Sequence, residues 1–146
     1  MGYRSDVAYT VRFKLDVTHR GPREKNDHDA NNAQSFFTFL AEIKCDPLAS
    51  SVLNEVTVLE SRQEINFSCE STKWYDSYPE VKAHERIIDI ANEWCNDPDN
   101  NSGIWYTFVR LGEEIDDNEY RQNCGTGVMS DYEAVSISRQ IITDWD

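Results

Sequence analysis

The stretch Val7-Ala8-Tyr9-Thr10-Val11-Arg12-Phe13-Lys14-Leu15 sets large apolar side chains at every second position, with small or polar ones between them. Such alternation puts Val7, Tyr9, Val11, Phe13 and Leu15 on one side of an extended chain, the pattern of a half-buried strand. The elements C-terminal to it decide the kind of sheet it joins. From Asp16 to Asn32 the pattern stops in favour of His19, Gly21, Pro22, Asn26, Asp27, Asp29 and Asn31, so residues 16–32 read as a flexible polar loop. A helix is then expected from Asn31 or Asn32, either able to cap free amides, to about Cys45. Ala33, Phe36, Phe37, Leu40 and Ile43 form its apolar stripe, and Asp46-Pro47 ends it.

Two strands come next, around Glu55 to Glu60 and Glu64 to Glu70, joined by a tight hairpin through Ser61 to Gln63. Val56, Val58, Ile65, Phe67 and Cys69 are their inward residues. Ser77-Tyr78-Pro79-Glu80 has the Ser-x-x-Glu spacing of a capping box with proline in the first turn, and opens a helix to about Cys95. Along it Val81, His84, Ile87, Ile88, Ala91, Trp94 and Cys95 recur at helical spacing. Ile104 to Leu111 reads as a buried strand, and Val135, Ile137, Arg139 and Ile141 suggest a closing one. The order strand, helix, strand, strand, helix, strand predicts an α+β fold: an antiparallel sheet with two helices packed on one face, a ferredoxin-like (split βαβ) core with extra C-terminal strands. The other face would be half solvated or open to a partner. No repeat or linker intervenes, so residues 1–146 read as a single domain, of a size that buries on the order of 68% of the unfolded surface.

The chain carries 27 acidic against 14 basic side chains, a net charge of -13, with pI near 4.5 and mean hydropathy -0.67. Such a field repels nucleic-acid phosphates and anionic lipid and favours basic protein surfaces. The polar composition is offset by four Trp, seven Tyr and six Phe, whose rings bury large areas. No apolar run reaches the ~18 residues of a membrane span and no apolar stretch at the N-terminus suggests a signal peptide, so the expected compartment is the cytosol. Cys45, Cys69, Cys95 and Cys124 stand 24, 26 and 29 residues apart without a Cys-x-x-Cys pair, which disfavours zinc or a disulfide framework. Cys69 and Cys95 read as small buried hydrophobes.

The densest charge is in Gly112-Glu113-Glu114-Ile115-Asp116-Asp117-Asn118-Glu119, with Arg110 and Arg121 flanking it. Its carboxylates Glu113, Glu114, Asp116, Asp117 and Glu119 suit a basic partner, imitation of nucleic-acid phosphate, a divalent metal, or simple solvation. The aromatics Trp74, Tyr75 and Tyr78, just before the second helix, suit a hydrophobic staple or a protein-contact patch; with Lys73 alone beside them they do not suit base stacking. Asp97-Pro98-Asp99-Asn100-Asn101-Ser102-Gly103 resembles the start of a calcium loop, but its glycine falls one place late and Phe108 stands where a bidentate Glu is needed. His84 lacks the second histidine of a His-Glu-x-x-His site and reads as a partly buried or surface residue, and no serine or glycine-rich motif supports nucleophilic hydrolysis or nucleotide binding. The reading is therefore non-enzymatic, with no cofactor, no metal and no catalytic residue. A small metal-dependent enzyme using the same carboxylates, with His84 or Glu85, is the competing class.

Four strings give a further lead: Gly2-Tyr3-Arg4-Ser5-Asp6-Val7, the run Lys73 to Val81 (Lys73-Trp74-Tyr75-Asp76-Ser77-Tyr78-Pro79-Glu80-Val81), Val109-Arg110-Leu111-Gly112-Glu113-Glu114 with Asp116-Asp117, and Val135-Ser136-Ile137-Ser138-Arg139. In these the chain resembles a loose group of small bacteriophage- and prophage-encoded proteins. The resemblance implies a phage origin, which makes the expected cytosol the host cytoplasm and the reading a phage accessory protein, and it supplies no mechanism. Taken together with the acidic charge, it points to a host or phage protein with a basic surface as partner, with inhibition of a host defence or nucleic-acid enzyme as the specific form and a virion or assembly component as the alternative. The oligomeric state is open on these grounds.

Overall fold

A computed structural model describes residues 3–13, 22–97, 103–114, 116–125, 135–137 and 141–143, with 22–33, 135–137 and 141–143 described by their backbone alone. The strands are β1 (Ser5–Arg12), β2 (Thr57–Leu59), β3 (Glu64–Thr72), β4 (Trp105–Gly112), β5 (Asn118–Cys124), β6 (Val135–Ile137) and β7 (Ile141–Thr143). The helices are α1 (Pro22–Cys45) and α2 (Pro79–Asn96), with a 3₁₀ turn over Ala49–Val52. Five strands form one antiparallel sheet in the order β2-β3-β1-β4-β5. The α+β class and the order of the first six elements are those expected from the sequence.

Strand β1 is central because it can bury both faces. Its odd-numbered side chains Val7, Tyr9, Val11 and the adjoining Phe13 are at most 1% exposed, each worth about 1.5–3 kcal/mol of transfer free energy. They meet Phe67 and Ile65 of β3, Phe108 of β4, and the helices. Phe13 packs edge-on against Phe36 and Trp94 and tilted against Phe39, which locks α1 and α2 to the same face of the sheet.

The opposite face departs from expectation. Ala8, Thr10, Arg12, Glu64, Asn66, Thr107 and Val109 are buried there, and β6 and β7, paired only with each other among the described residues, lie against β1 and β4. The residues expected to form one closing strand thus form two short ones. Polar groups on this face are buried because they pair laterally: Arg12 Nε donates to Thr10 Oγ1 (3.1 Å) and lies 3.6 Å from Glu64, and Asn66 Nδ2 donates to Glu64 (3.2 Å). The Arg12 guanidinium also lies over the Trp105 ring.

Four further expectations are corrected. Helix α1 begins at Pro22, so the expected loop over 16–32 is helical from that residue on. Proline is preorganised for a first helical turn, and Arg23-Glu24-Lys25 are strong helix formers that outweigh the asparagines downstream. On its described face Phe36, Leu40 and Ile43 are buried as expected, but Phe37 is 49% exposed and Phe39 takes its place in the core. Ser77 and Glu80 do not form a capping box. Tyr78 is the residue before the helix and makes no side-chain cap, while Glu80 turns to Glu55 instead. Strand β5 pairs along all of Leu111 to Trp105, although polar side chains hide it from any apolar pattern. Residues 16–21, His19, the middle of the calcium-like loop, Ile115 and Arg139 lie outside the described residues.

Candidate acidic and aromatic site

The strings that start at Gly2, Lys73 and Val109 converge at the end of the sheet where β1 begins. The organiser is Tyr3. Its backbone N–H donates to Tyr75 Oη (2.6 Å), its hydroxyl donates to Asp117 Oδ2 (2.5 Å), and that same hydroxyl accepts the N–H of Glu114 (3.1 Å). Beside it, Asp6 Oδ1 accepts the N–H of Ser71 (2.9 Å), and Arg4 Nη1 donates to the Ser71 carbonyl (2.7 Å). Ser71 has φ 50°, a left-handed conformation that costs a non-glycine residue roughly 1–3 kcal/mol when its surroundings enforce it. It sits at the register shift between Ser5 and Val7, and its two partners hold it there.

The acidic segment is split in two by this geometry. Arg110 Nη2 donates to Asp117 Oδ1 (2.8 Å), Arg110 Nε donates to Glu119 Oε1 (3.4 Å), Arg121 Nε lies 2.9 Å from Glu119 Oε2, and Arg121 Nη2 is shared by both oxygens of Glu85 on α2 (2.8 and 2.9 Å). Charges therefore alternate as Asp117, Arg110, Glu119, Arg121, Glu85, with the Arg121 guanidinium also over the Phe108 ring at 4.2 Å. Arg110, then the Tyr3 hydroxyl, hold the Asp117 carboxyl down to about 2, and that carboxylate raises Tyr3 in turn. Glu113, Glu114 and Asp116 are exposed. A side chain on Gly112 would meet the Asp117 carboxylate and the Tyr3 hydroxyl and would push these two groups out of their junction.

The aromatic residues are also divided. Trp74 is half buried, with ring centroids 6.1 Å from Phe67, 5.6 Å from His84 and 6.5 Å from Phe108; it belongs to the core rather than to an exposed patch. Tyr75 is half buried on Tyr3 and meets Tyr78 edge-on at 5.1 Å, and Tyr78 is 40% exposed.

A second polar constellation has no signature in the sequence. His84 is fully buried, with Nδ1 2.7 Å from the Tyr9 hydroxyl and Nε2 3.0 Å from Glu55 Oε1. A neutral ring that donates from Nε2 and accepts at Nδ1 satisfies both partners. Burial pushes His84 down to about 4, so it is neutral at pH 7. Glu80 is raised by its hydrogen bond to Glu55. Helical spacing identifies His84 as inward, but its partners lie 75 and 29 residues away and no local signal connects them.

The carboxylates of the metal-enzyme reading do not gather. Glu85 faces Arg121 and His84 is inside the core, and among the described residues no three His, Cys, Asp or Glu side chains group to hold a metal. The four cysteines are free, with Cys95 buried and Cys69 half buried. No described helix is long and apolar enough to cross a membrane. No protein-family model matches the chain, and neither a curated protein nor a solved structure matches it significantly.

Proposed function

We propose that this chain is a protein-binding module that offers the acidic and aromatic end of its sheet to a basic surface on another protein. The observation that carries the reading is the Tyr3 junction: it ties the β4–β5 turn to the Tyr75–Tyr78 segment and leaves Glu113, Glu114 and Asp116 exposed. Carboxylates on an anchored turn meet a basic cleft with less ordering cost than carboxylates on a free loop, and an aromatic neighbour supplies apolar contact. In its specific form the proposal is a phage accessory protein in the host cytoplasm that occupies the basic cleft of a host defence or nucleic-acid enzyme in place of phosphate. Support for a phage origin is the resemblance of the four strings. The strand order β2-β3-β1-β4 with β5 added outside β4 supports assigning the scaffold to the ferredoxin-like, split βαβ type.

The test compares wild type with the Glu113→Gln, Glu114→Gln, Asp116→Asn variant as baits in host lysate at low and high salt. A protein held by wild type, released by salt and lost to the variant supports the reading. Equal retention by both baits with the same salt dependence ends it.

A further inference from the structure

Strand β1 starts at a fixed point. Ser5 is buried and stands opposite Thr72 of β3 and Gly112 of β4. Tyr3 lies two residues earlier, outside both ladders and half buried. Its N–H reaches the Tyr75 hydroxyl, and its own hydroxyl stands inside the β4–β5 turn, between Asp117 Oδ2 and the N–H of Glu114.

The turn closes without Tyr3. Gly112 N–H donates to the Asp117 carbonyl (2.8 Å), Asp117 N–H donates to the Glu114 carbonyl (3.0 Å), and Arg110 Nη2 holds Asp117 Oδ1 (2.8 Å). Arg110 is itself steadied by Ser5 Oγ at 3.2 Å. Removing the hydroxyl therefore costs the Glu114 N–H its acceptor and Asp117 Oδ2 its donor, while the backbone closure and the cation remain. Glu114 is exposed and Asp117 is half buried, so water can replace both bonds and no buried group is stranded. The undocked arrangement is thus locally satisfied. The docked one is tight, because the hydroxyl and the carboxylate meet over Gly112, where a Cβ would displace them.

We infer that Tyr3 is a strap hinged at Ser5, with its hydroxyl as the clasp on the acidic turn. Closed, the strap fixes Glu113, Glu114 and Asp116 relative to Tyr75 and Tyr78; open, it frees the turn from that segment and leaves the sheet intact. A partner that touches both parts gains only from the closed form and draws the strap shut, since a ligand shifts such an equilibrium by its differential affinity for the two forms. A partner that reads charge alone does not. The inference rests on the protein-binding reading and gives that site its regulation, with Tyr3 as a positioning residue.

Two substitutions open the strap by different routes: Tyr3→Phe keeps the ring and removes the clasp, and Gly112→Ala keeps the clasp and fills the space it needs. Backbone relaxation of isotope-labelled protein should show order parameters at residues 113, 114, 116 and 117 falling in both, from about 0.85 toward 0.6 or below, with β1, β3 and β4 at wild-type values. The Asp117 carboxyl, held at about 2 by Arg110 and then by the Tyr3 hydroxyl, should titrate higher in Tyr3→Phe and stay below 3.8 because Arg110 remains. As bait in host lysate, Tyr3→Phe should hold the captured protein about three- to tenfold more weakly than wild type. Unchanged order at 113–117 in Tyr3→Phe, or an equal fall throughout β1 and β4, would overturn the strap. If Tyr3→Phe captures as wild type does while the Glu113, Glu114, Asp116 variant does not, this inference fails and the proposed function stands.

Discussion

Acidification should destabilise this protein through His84. The imidazole is fully buried, with its ring 4.1 Å from Phe67 and its two nitrogens on Tyr9 and Glu55, so protonation places a charge inside the core. Burial lowers it from 6.5 to about 4. Between those values the unfolded chain binds more protons than the folded one, so stability falls as pH falls through the window, steepest at about 1.4 kcal/mol per pH unit. The whole shift corresponds to about 3 kcal/mol, a large share of the roughly 5–15 kcal/mol that holds a domain together. Urea denaturation followed by tryptophan fluorescence at intervals from pH 8 to pH 4 measures this directly. The control is Tyr9→Phe, His84→Gln, which removes the titrating ring together with the hydroxyl it would strand. Its curve should start lower at pH 7 and lack the fall between pH 6.5 and 4. Glu80, raised by Glu55, adds stability that is present at low pH and lost as pH rises; because Glu80 and His84 act on each other, the difference between the curves reports the histidine together with that coupling. Asp117, lowered to about 2, loses its contribution only below its unfolded value of 3.8. A wild-type curve flat from pH 6.5 to 4.5, or an equal fall in the control, would refute the assignment.

The packing sets three other outcomes. Gly112→Ala forces a methyl group into the Asp117 carboxylate and the Tyr3 hydroxyl and should cost about 1–3 kcal/mol by thermal unfolding, with Tyr3→Phe in the same background recovering part of it. Phe39→Ala should cost about 3–5 kcal/mol, whereas Phe37→Ala, at an exposed position of the same helix, should stay within about 0.5 kcal/mol by the same measurement. With a thiol reagent on native protein, exposed Cys45 should react promptly and Cys95, whose thiol burial pushes up to about 12, should react only on unfolding.

Apolar periodicity alone brings most of the sheet's centre into view. Val7 to Phe13, Ile65 to Phe67 and Trp105 to Val109 are buried strands with few competing patterns, and the stop signals around Asp46-Pro47 and Asn96 bound the helices well. Strand β5 is illegible for a physical reason: Glu119 and Arg121 point to the helix side but are matched as ion pairs, so burial there does not require apolar residues. The same principle hides the far face, where Arg12, Glu64, Asn66 and Thr10 look solvated in sequence and are buried by pairing with one another, with Arg12 Nη2 left without a hydrogen bond among the described residues. The acidic segment is legible as charge but not as structure. That Arg110 and Arg121 neutralise part of it is readable from proximity in sequence; that Tyr3, more than a hundred residues away, anchors it is not.

The split of the acidic segment also separates two effects that net charge alone merges. Asp117, Glu119 and Glu85 share two guanidinium groups in partly buried positions, where salt screens little, so their contribution holds the turn against the sheet over a wide range of ionic strength. Glu113, Glu114 and Asp116 stand in solvent, where interactions beyond about 10 Å are largely screened at 0.1 M salt. Raising the salt should therefore abolish long-range attraction of a basic partner while leaving the shape that meets it intact. Under the proposed function, association slows with salt far more than the complex's dissociation accelerates, because steering belongs to the exposed three and the shaped contact to the rigid base beneath them. Stopped-flow rates at several salt concentrations distinguish this from a purely electrostatic complex, in which both rates would move together.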